Sequence, residues 1–382
     1  MSQTKAQLVS GTTAQDLTVD NINTTSVNSG QPSGRKNLVI NGAMQVAQRG
    51  TSSTSGGYQT VDRFPAYYTG GAMTQSQGSL TSGSPFEKGF TKYLRITNTT
   101  ANTGTDGSRS IIVKLEAQDI ANSGWNYKSS SSYLTFSFWV RSSVSQQFYI
   151  VIKTLDGTQQ MYPFSIGTPS ADTWTKVTHS IAGNSNLTFD SNNANGLQFY
   201  IYAFLGTDNT SSGVSLNGWS AWASSGRIPD MTNTWAATTD ATFDLTGVQL
   251  EVGSTATDFE HRSFGQELAL CQRYYQRIDG STANTVFGVG NVDGSTQGQI
   301  LVQLPVSLRV KASSMDTTGS SGDYKFRVRT TQSCDAVPTL ATAGFTQQFL
   351  EWHANSHGFS DGDAALGISG SSSSFLAFSA EL

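Results

Sequence analysis

The sequence predicts an all-β chain: a jelly-roll β-sandwich followed by a short helix and a small C-terminal β-rich tip domain, with an extended N-terminal arm. Three observations predict it. Apolar and polar residues alternate over several runs, most plainly from Tyr133 to Arg141. There Leu134, Phe136, Phe138 and Val140 fall on one face and Tyr133, Thr135, Ser137 and Trp139 on the other, the two-residue period of a half-buried strand. The composition suits short strands joined by polar turns, since 13% of residues are charged and 38 glycines sit among many Ser, Thr and Asn residues. Finally, alternation gives way to helical spacing between Val252 and Glu267, which divides the chain.

Taken in order, residues 1–36 are polar, with Gly30, Pro32, Gly34 and only sparse apolar residues such as Leu17, Val19, Ile22 and Val27. Alone they bury too little apolar surface to offset chain entropy. The alternation across Leu17 and Val19 suits an attachment arm that adds a strand to a neighbour; a loose leader is the alternative. The sandwich, residues 37–265, opens with NLVINGAMQVAQRG around the turn pair Asn41-Gly42. In VDRFPAYY, Pro65 confines the run to an edge. KYLRITN from Lys92 and SIIVKLE from Ser110 are strands. Phe148 to Thr154, the Asp156-Gly157 turn and MYPFSI from Met161 form a hairpin. TWTKVTHSI from Thr173 alternates without showing which face is inward, whereas Leu197, Phe199, Ile201 and Ala203 share one face opposite Gln198, Tyr200 and Tyr202. The closing strand runs from Phe243 to Val252 and slips by one residue at Gly247, as a bulge does. Helical spacing then spans Glu267 to Gln276, with Leu268, Cys271 and Tyr275 on one face, inside a tip of residues 266–382. The tip adds strands at Val286, Gln299 and Tyr324, with Pro305 ending the second.

A net charge of −4 and a pI of 5.6 give no electrostatic footprint for nucleic acid or anionic membrane. The start MSQTKAQLVS has no apolar signal-peptide core, and no apolar run approaches the roughly 18 residues a transmembrane helix needs. A soluble chain made in a cytoplasm is expected. Cys271 and Cys334 make no disulfide framework, although one bridge between them stays open. His353 and His357 are four apart, with Glu351 before and Asp361 and Asp363 after. Asn355, Ser356 and Gly358 are poor helix formers, so the spacing reads as two loop histidines rather than a metal site. No metal or cofactor is expected.

Carbohydrate binding needs flat apolar rings beside amides and hydroxyls. Trp139, Tyr149, Tyr200 and Tyr202, with Gln198 beside them, stand opposite the expected core and are the candidate sugar-binding set, lining one concave surface. The alternative is that strand aromatics are covered by a neighbouring subunit. The stretch Ser215 to Thr239 concentrates Trp219, Trp222 and Trp235, read as a packing plug. Glu260, His261 and Arg262 read as a polar staple holding the tail to the sandwich, with Arg63 as a partner for one carboxylate. Catalysis by Glu260 with His261 is disfavoured, because adjacent strand residues face opposite ways.

NLVINGAMQVAQRG, then VDRF, then GVQLEVGSTATDFEHRSFGQELALCQRYYQ resembles a family of bacteriophage tail-fibre and related virion proteins of the marine cyanophage type. The specific elements are Gln249 to Glu251, Phe259 to Arg262 and Cys271 to Tyr275; FLAFSAEL from Phe375 is similar to the C-terminal strand of such proteins. The resemblance implies that Asn37 to Gln276 is a jelly roll similar to carbohydrate-binding modules, that the protein resides in the virion, and that it is a homotrimer. The expected function is a non-catalytic fibre protein that projects from the particle and adheres to host surface glycan. Its arm would hold other virion proteins. The alternative is a structural virion component, such as a head fibre, decoration protein or tail adaptor. A glycan depolymerase is the third reading, for which no flanking pair of carboxylates stands out.

Overall fold

A computed structural model describes residues 36–354 and 359–382. The arm expected over residues 1–36 lies outside the described residues except for Lys36, and His357 lies outside them too.

Two six-stranded antiparallel sheets face each other as a jelly-roll sandwich. The first orders Ser52–Ser53, Ala72–Ser79, Lys92–Thr100, Thr242–Val252, Tyr133–Ser142 and Thr175–Ala182. The second orders Ser220–Ala221, Gln160–Gly167, Phe148–Thr154, Asn195–Leu205, Ser108–Glu116 and Ala66–Thr69. The strand after Pro65 is therefore an edge, where a missing N–H costs no ladder bond. The inward residues of both sheets interdigitate; Phe136 and Phe199 stack across the gap at 4.4 Å. In the Thr175 strand it is Val177, His179 and Ile181 that point inward, the His179 ring lying 4.1 Å from Phe164 and nearly parallel to it.

The closing strand, Thr242–Val252, lies between Lys92–Thr100 and Tyr133–Ser142. Its register shifts between Thr246 and Gln249, and Gly247 has φ 63°, the predicted bulge. The opening segment runs alongside without forming a strand, as Leu38 N–H donates to Leu250 O at 2.9 Å and Val248 N–H to Gly42 O at 2.9 Å.

The helix is Phe264–Gln272, three residues earlier at its start and four at its end than the spacing predicts. Ser263 and Gln266 cap each other's backbone at its start. Tyr275 is not on the helical face: it opens strand Tyr275–Asp279, captured by antiparallel pairing with Phe375–Ser379. That strand is central in a three-stranded sheet with Ser314–Asp316. A seven-stranded sheet orders Thr331–Ser333, Tyr324–Arg327, Ala364–Ser369, Val286–Val292, Gln297–Gln303, Gln347–His353 and Thr339–Ala343. Both pack on a second core around Tyr324, Phe326, Trp352 and Phe378. Cys271 and Cys334 are free and buried in separate clusters, so the possible bridge does not form.

Past Phe375–Ser379 the chain returns to the sandwich, where Glu381 pairs with Arg63 and, at 3.1 Å, with Arg49. Arg309 donates to Ala380 O at 2.9 Å and Asn193 O at 2.6 Å. Glu116 accepts from Arg273 at 3.0 and 2.9 Å and from the Tyr274 hydroxyl at 2.5 Å. Two ion-paired latches, Glu381 with Arg63 and Arg49 and Glu116 with Arg273, and one guanidinium-to-carbonyl latch at Arg309 therefore join the two cores. Among the described residues no helix is long and apolar enough to cross a membrane.

Candidate functional site

The outer face of the second sheet is not open. Tyr149 and Tyr202 are opposed in register, Tyr200 and Tyr202 stack with centroids 6.1 Å apart, and the Tyr200 hydroxyl donates to Gln198 Oε1. Over them folds the connection of residues 206–231. Its Trp222 lies 6.3 Å from Tyr200 and 4.2 Å from Lys153 Nζ, Ile228 is fully buried, and Arg227 donates to the Tyr202 hydroxyl at 3.4 Å. Tyr149, Gln198 and Tyr202 are buried, and burial pushes the Tyr202 pKa up to about 12. Trp139 lies on the outer face of the other sheet. The five candidate residues thus do not line one surface: alternation placed each opposite the core, but it carries no information about which sheet a strand joins or what folds over it. Two of the three tryptophans read as a plug pack on the sandwich core, Trp235 fully buried in it and Trp219 with Nε1 donating to Ala182 O at 2.7 Å, whereas Trp222 covers the outer face of the second sheet.

The first sheet's outer face carries a different constellation. Asp244 stands on the central strand in register with Arg95 on one neighbour and Arg141 on the other. Its carboxylate is fully buried beneath both guanidiniums, accepting from Arg95 at 2.7 and 2.9 Å and from Arg141 at 2.9 and 2.6 Å. These charge-assisted bonds hold Arg95 above its ordinary pKa. Arg141 is thereby fixed with its guanidinium carbon 4.8 Å from the Trp174 centroid and 5.5 Å from that of Tyr93. Tyr93 and Trp174 meet edge to face at 5.8 Å. Tyr93 lies across its cross-strand partner Gly78, where a Cβ would come within 2.2 Å of the ring; no other residue leaves that space.

These rings and Arg141 form one wall of a cleft of about 470 Å³, with Leu80, Ser82 and Ser84 on the facing loop and Asp172 and Thr173 at the rim. Asp172 is held there with φ 56° by its N–H donating to Ser142 O at 2.7 Å. The cleft combines two aromatic surfaces, a fixed guanidinium, hydroxyls and a carboxylate, the donor and acceptor set that suits a polyhydroxylated ligand. Trp139 packs beneath it with Phe90 and Leu80 and supports rather than lines it. Tyr93, Trp174 and Arg141 were not singled out by sequence; the Thr173 strand gave no inward face, so Trp174 had no assigned side.

Glu260, His261 and Arg262 do staple the tail. Glu260 accepts from Asn37 N–H at 2.6 Å and from Arg262 at 2.8 Å, Arg262 also donates to Asn37 O, and His261 Nε2 lies 3.0 Å from Lys88 O. Arg63 is not their partner, because it is turned to Glu381 by the returning C-terminus. His353 ends strand Gln347–His353, and among the described residues no group of three or more His, Cys, Asp or Glu is placed to hold a metal.

No protein-family model matches the chain, and no curated protein matches it in sequence. Among solved structures it is similar to the enzymatically active domain of tailspike protein 4 of bacteriophage CBA120, at TM-score 0.30 and 10% identity, covering 58% of this chain and 22% of that one. The match therefore spans about a fifth of the length of that solved chain. It is similar to the family 11 carbohydrate-binding module of a cellulosomal cellulase of Clostridium thermocellum, at TM-score 0.27 and 13% identity, covering 56% of this chain and 98% of that one. A family 4 carbohydrate-binding module gives TM-score 0.28 and 11% identity over 56% of this chain and 99% of that one.

Proposed function

We propose that this chain is a non-catalytic virion adhesin that holds a host cell-surface glycan in the cleft beside Trp174 and Tyr93. The observation that carries the reading is the Asp244-fixed Arg141 guanidinium set between two aromatic rings at the mouth of an open cleft. Rings take the C–H faces of a sugar, and a guanidinium fork held in place loses little entropy in donating to its hydroxyls. Binding without cleavage is supported by the carboxylates at hand: the Asp244 oxygens are occupied by two arginines, and Asp172 is the one carboxylate among the residues lining the cleft, where glycoside hydrolysis generally uses a flanking pair. Residues 1–36 would attach the protein to other virion components, leaving the sandwich and tip to project.

The test is binding of the full-length protein to an immobilised panel of bacterial surface polysaccharides. Wild type should bind at least one saturably. Trp174→Ala and Tyr93→Ala should each weaken that binding by ten-fold or more while losing only about 2 kcal/mol of folding stability, the cost of truncating a half-buried ring, so that both stay folded in the assay. Undiminished binding in both variants rejects the cleft, and a wild type that binds no polysaccharide and no host cell favours a structural virion role.

A further inference from the structure

The seven-stranded sheet turns one face to the second core and the other to solvent. On the solvent face the registers line up Thr342, Phe349, Leu301, Val289, Leu366 and Arg327 in one row across six neighbouring strands. Four consecutive members of that row are apolar. Val289 is 56% exposed and Phe349 41%, while Leu301 and Leu366 are half-covered by these same neighbours. Phe345, 49% exposed, extends the apolar surface past the strand end. An uncovered apolar row of this length marks an association surface rather than scattered surface residues.

The two ends of the row differ in charge. At one end stand Arg327, Lys325 in register with Ile368, and Arg329, whose side chain is 79% exposed and only loosely paired with Asp363 at 3.3 Å. At the other end Glu351 occupies the next row, in register with Gln299 and Thr339. A face that is apolar in the middle, cationic at one end and anionic at the other complements itself once a second copy is turned end for end.

We propose that this face is the self-association surface of the chain: the Phe349–Leu301–Val289–Leu366 row of one copy packs on that of another, the Arg327 end of each meeting the Glu351 end of the next. A two-fold pair of facing sheets and a three-fold ring around an apolar axis both obey this rule. Either puts more than one Trp174 cleft on a single assembly, which raises the avidity of individually weak sites.

Sedimentation velocity on the full-length protein, over roughly 1 to 100 μM, is the test. Wild type should form dimers or trimers in a concentration-dependent way. Val289→Lys, a substitution on a solvent-facing side chain, should shift the assembly midpoint at least ten-fold toward monomer with an unchanged melting curve. If its melting falls, Phe349→Gln carries the same reading from the adjacent strand. Arg327→Glu and Glu351→Arg should each weaken assembly, and the double variant should recover it. A wild type that stays monomeric overturns the proposal, as does Val289→Lys assembling like wild type. Loss of polysaccharide binding in Val289→Lys with assembly intact would also overturn it and give the face to a ligand. Failure of the double variant to recover would overturn the end-to-end orientation.

Discussion

The Arg63 guanidinium lies 3.4 Å from the centroid of the Tyr274 ring and pairs with the carboxylate of Glu381, 318 residues along the chain. Both charged side chains are nearly buried, at 4% and 9% exposure. Burial alone would lower the Arg63 pKa, but the Glu381 charge, together with Tyr58, Tyr274 and Cys271, outweighs it and holds it above the ordinary range. Removing one partner of a buried pair strands the other, which costs about 3–5 kcal/mol. Glu381→Ala should therefore lower the chemical-denaturation stability by an amount of that order, although it touches only the penultimate residue. A loss below about 1 kcal/mol would show that the pair is solvated like a surface pair. It also follows that a chain cut at Gly265 loses Tyr274 and Glu381 together, leaving Arg63 and Glu116 without their latches.

Asp62 sits in the same joint, facing Gln48, Arg49, Cys271 and Glu381. Burial raises its pKa from an ordinary 3.8 to about 6, against the bonds from Gln48. Below about pH 4 the carboxyl is protonated in folded and unfolded chains alike and contributes nothing. Between about 4 and 6 only the folded form holds the proton, so stability falls as pH rises, by roughly 3 kcal/mol in full. Glu116 acts with the opposite sign: burial would raise its pKa, but Arg273, Tyr274 and Gln118 outweigh that and lower it, so its contribution is lost as pH falls below the ordinary carboxylate range. From these two groups stability should peak between about pH 4 and 5. Melting curves of Asp62→Asn should lose the decline from pH 4.5 to 7.5; an unaltered slope would assign it elsewhere.

The strands were legible wherever alternation was strict, as in Tyr133–Ser142 and Asn195–Leu205, and even the one-residue slip at Gly247 could be read, because each depends only on neighbours in sequence. What was not legible depended on distant chain. Tyr275 has helical spacing after Cys271 but is taken by the strand ending at Ser379. Tyr149 and Tyr202 alternate like surface residues but are buried by the connection that carries Trp222 and Ile228. The cleft was not legible because Tyr93 and Arg141 come from two strands and Trp174 from the segment leading into a third, and their meeting depends on Asp244 and on the absent side chain of Gly78.

Trp222 distinguishes the covered face from the open one. It packs on Tyr200 and over Lys153, with Arg227 beside it, and lines no part of the Trp174 cleft. Because the ring is half-buried, Trp222→Ala should cost about 2 kcal/mol, below the 3–5 typical of a fully buried aromatic. Polysaccharide binding should stay at the wild-type level. A variant that melts like wild type but no longer binds would transfer the site to the second sheet.

Gly247 tests the closing strand itself. Its φ of 63° is in the left-handed region, and a Cβ there would meet the Phe90 ring at 2.8 Å and the Trp139 ring at 3.0 Å. Two costs therefore fall on one substitution. Holding a residue other than glycine in that conformation takes roughly 1–2 kcal/mol, and Phe90 must shift off Trp139, loosening the packing under Tyr93 and Trp174. Gly247→Ala should lose about 2–4 kcal/mol in denaturation. Asparagine tolerates the left-handed region better but brings the same Cβ, so Gly247→Asn separates the terms: partial recovery assigns the loss to backbone strain, and an equal loss assigns it to the rings. An alanine variant within about 0.5 kcal/mol of wild type would mean that the bulge relaxes without glycine, and that the slip at Gly247 is not what fixes the register of the closing strand.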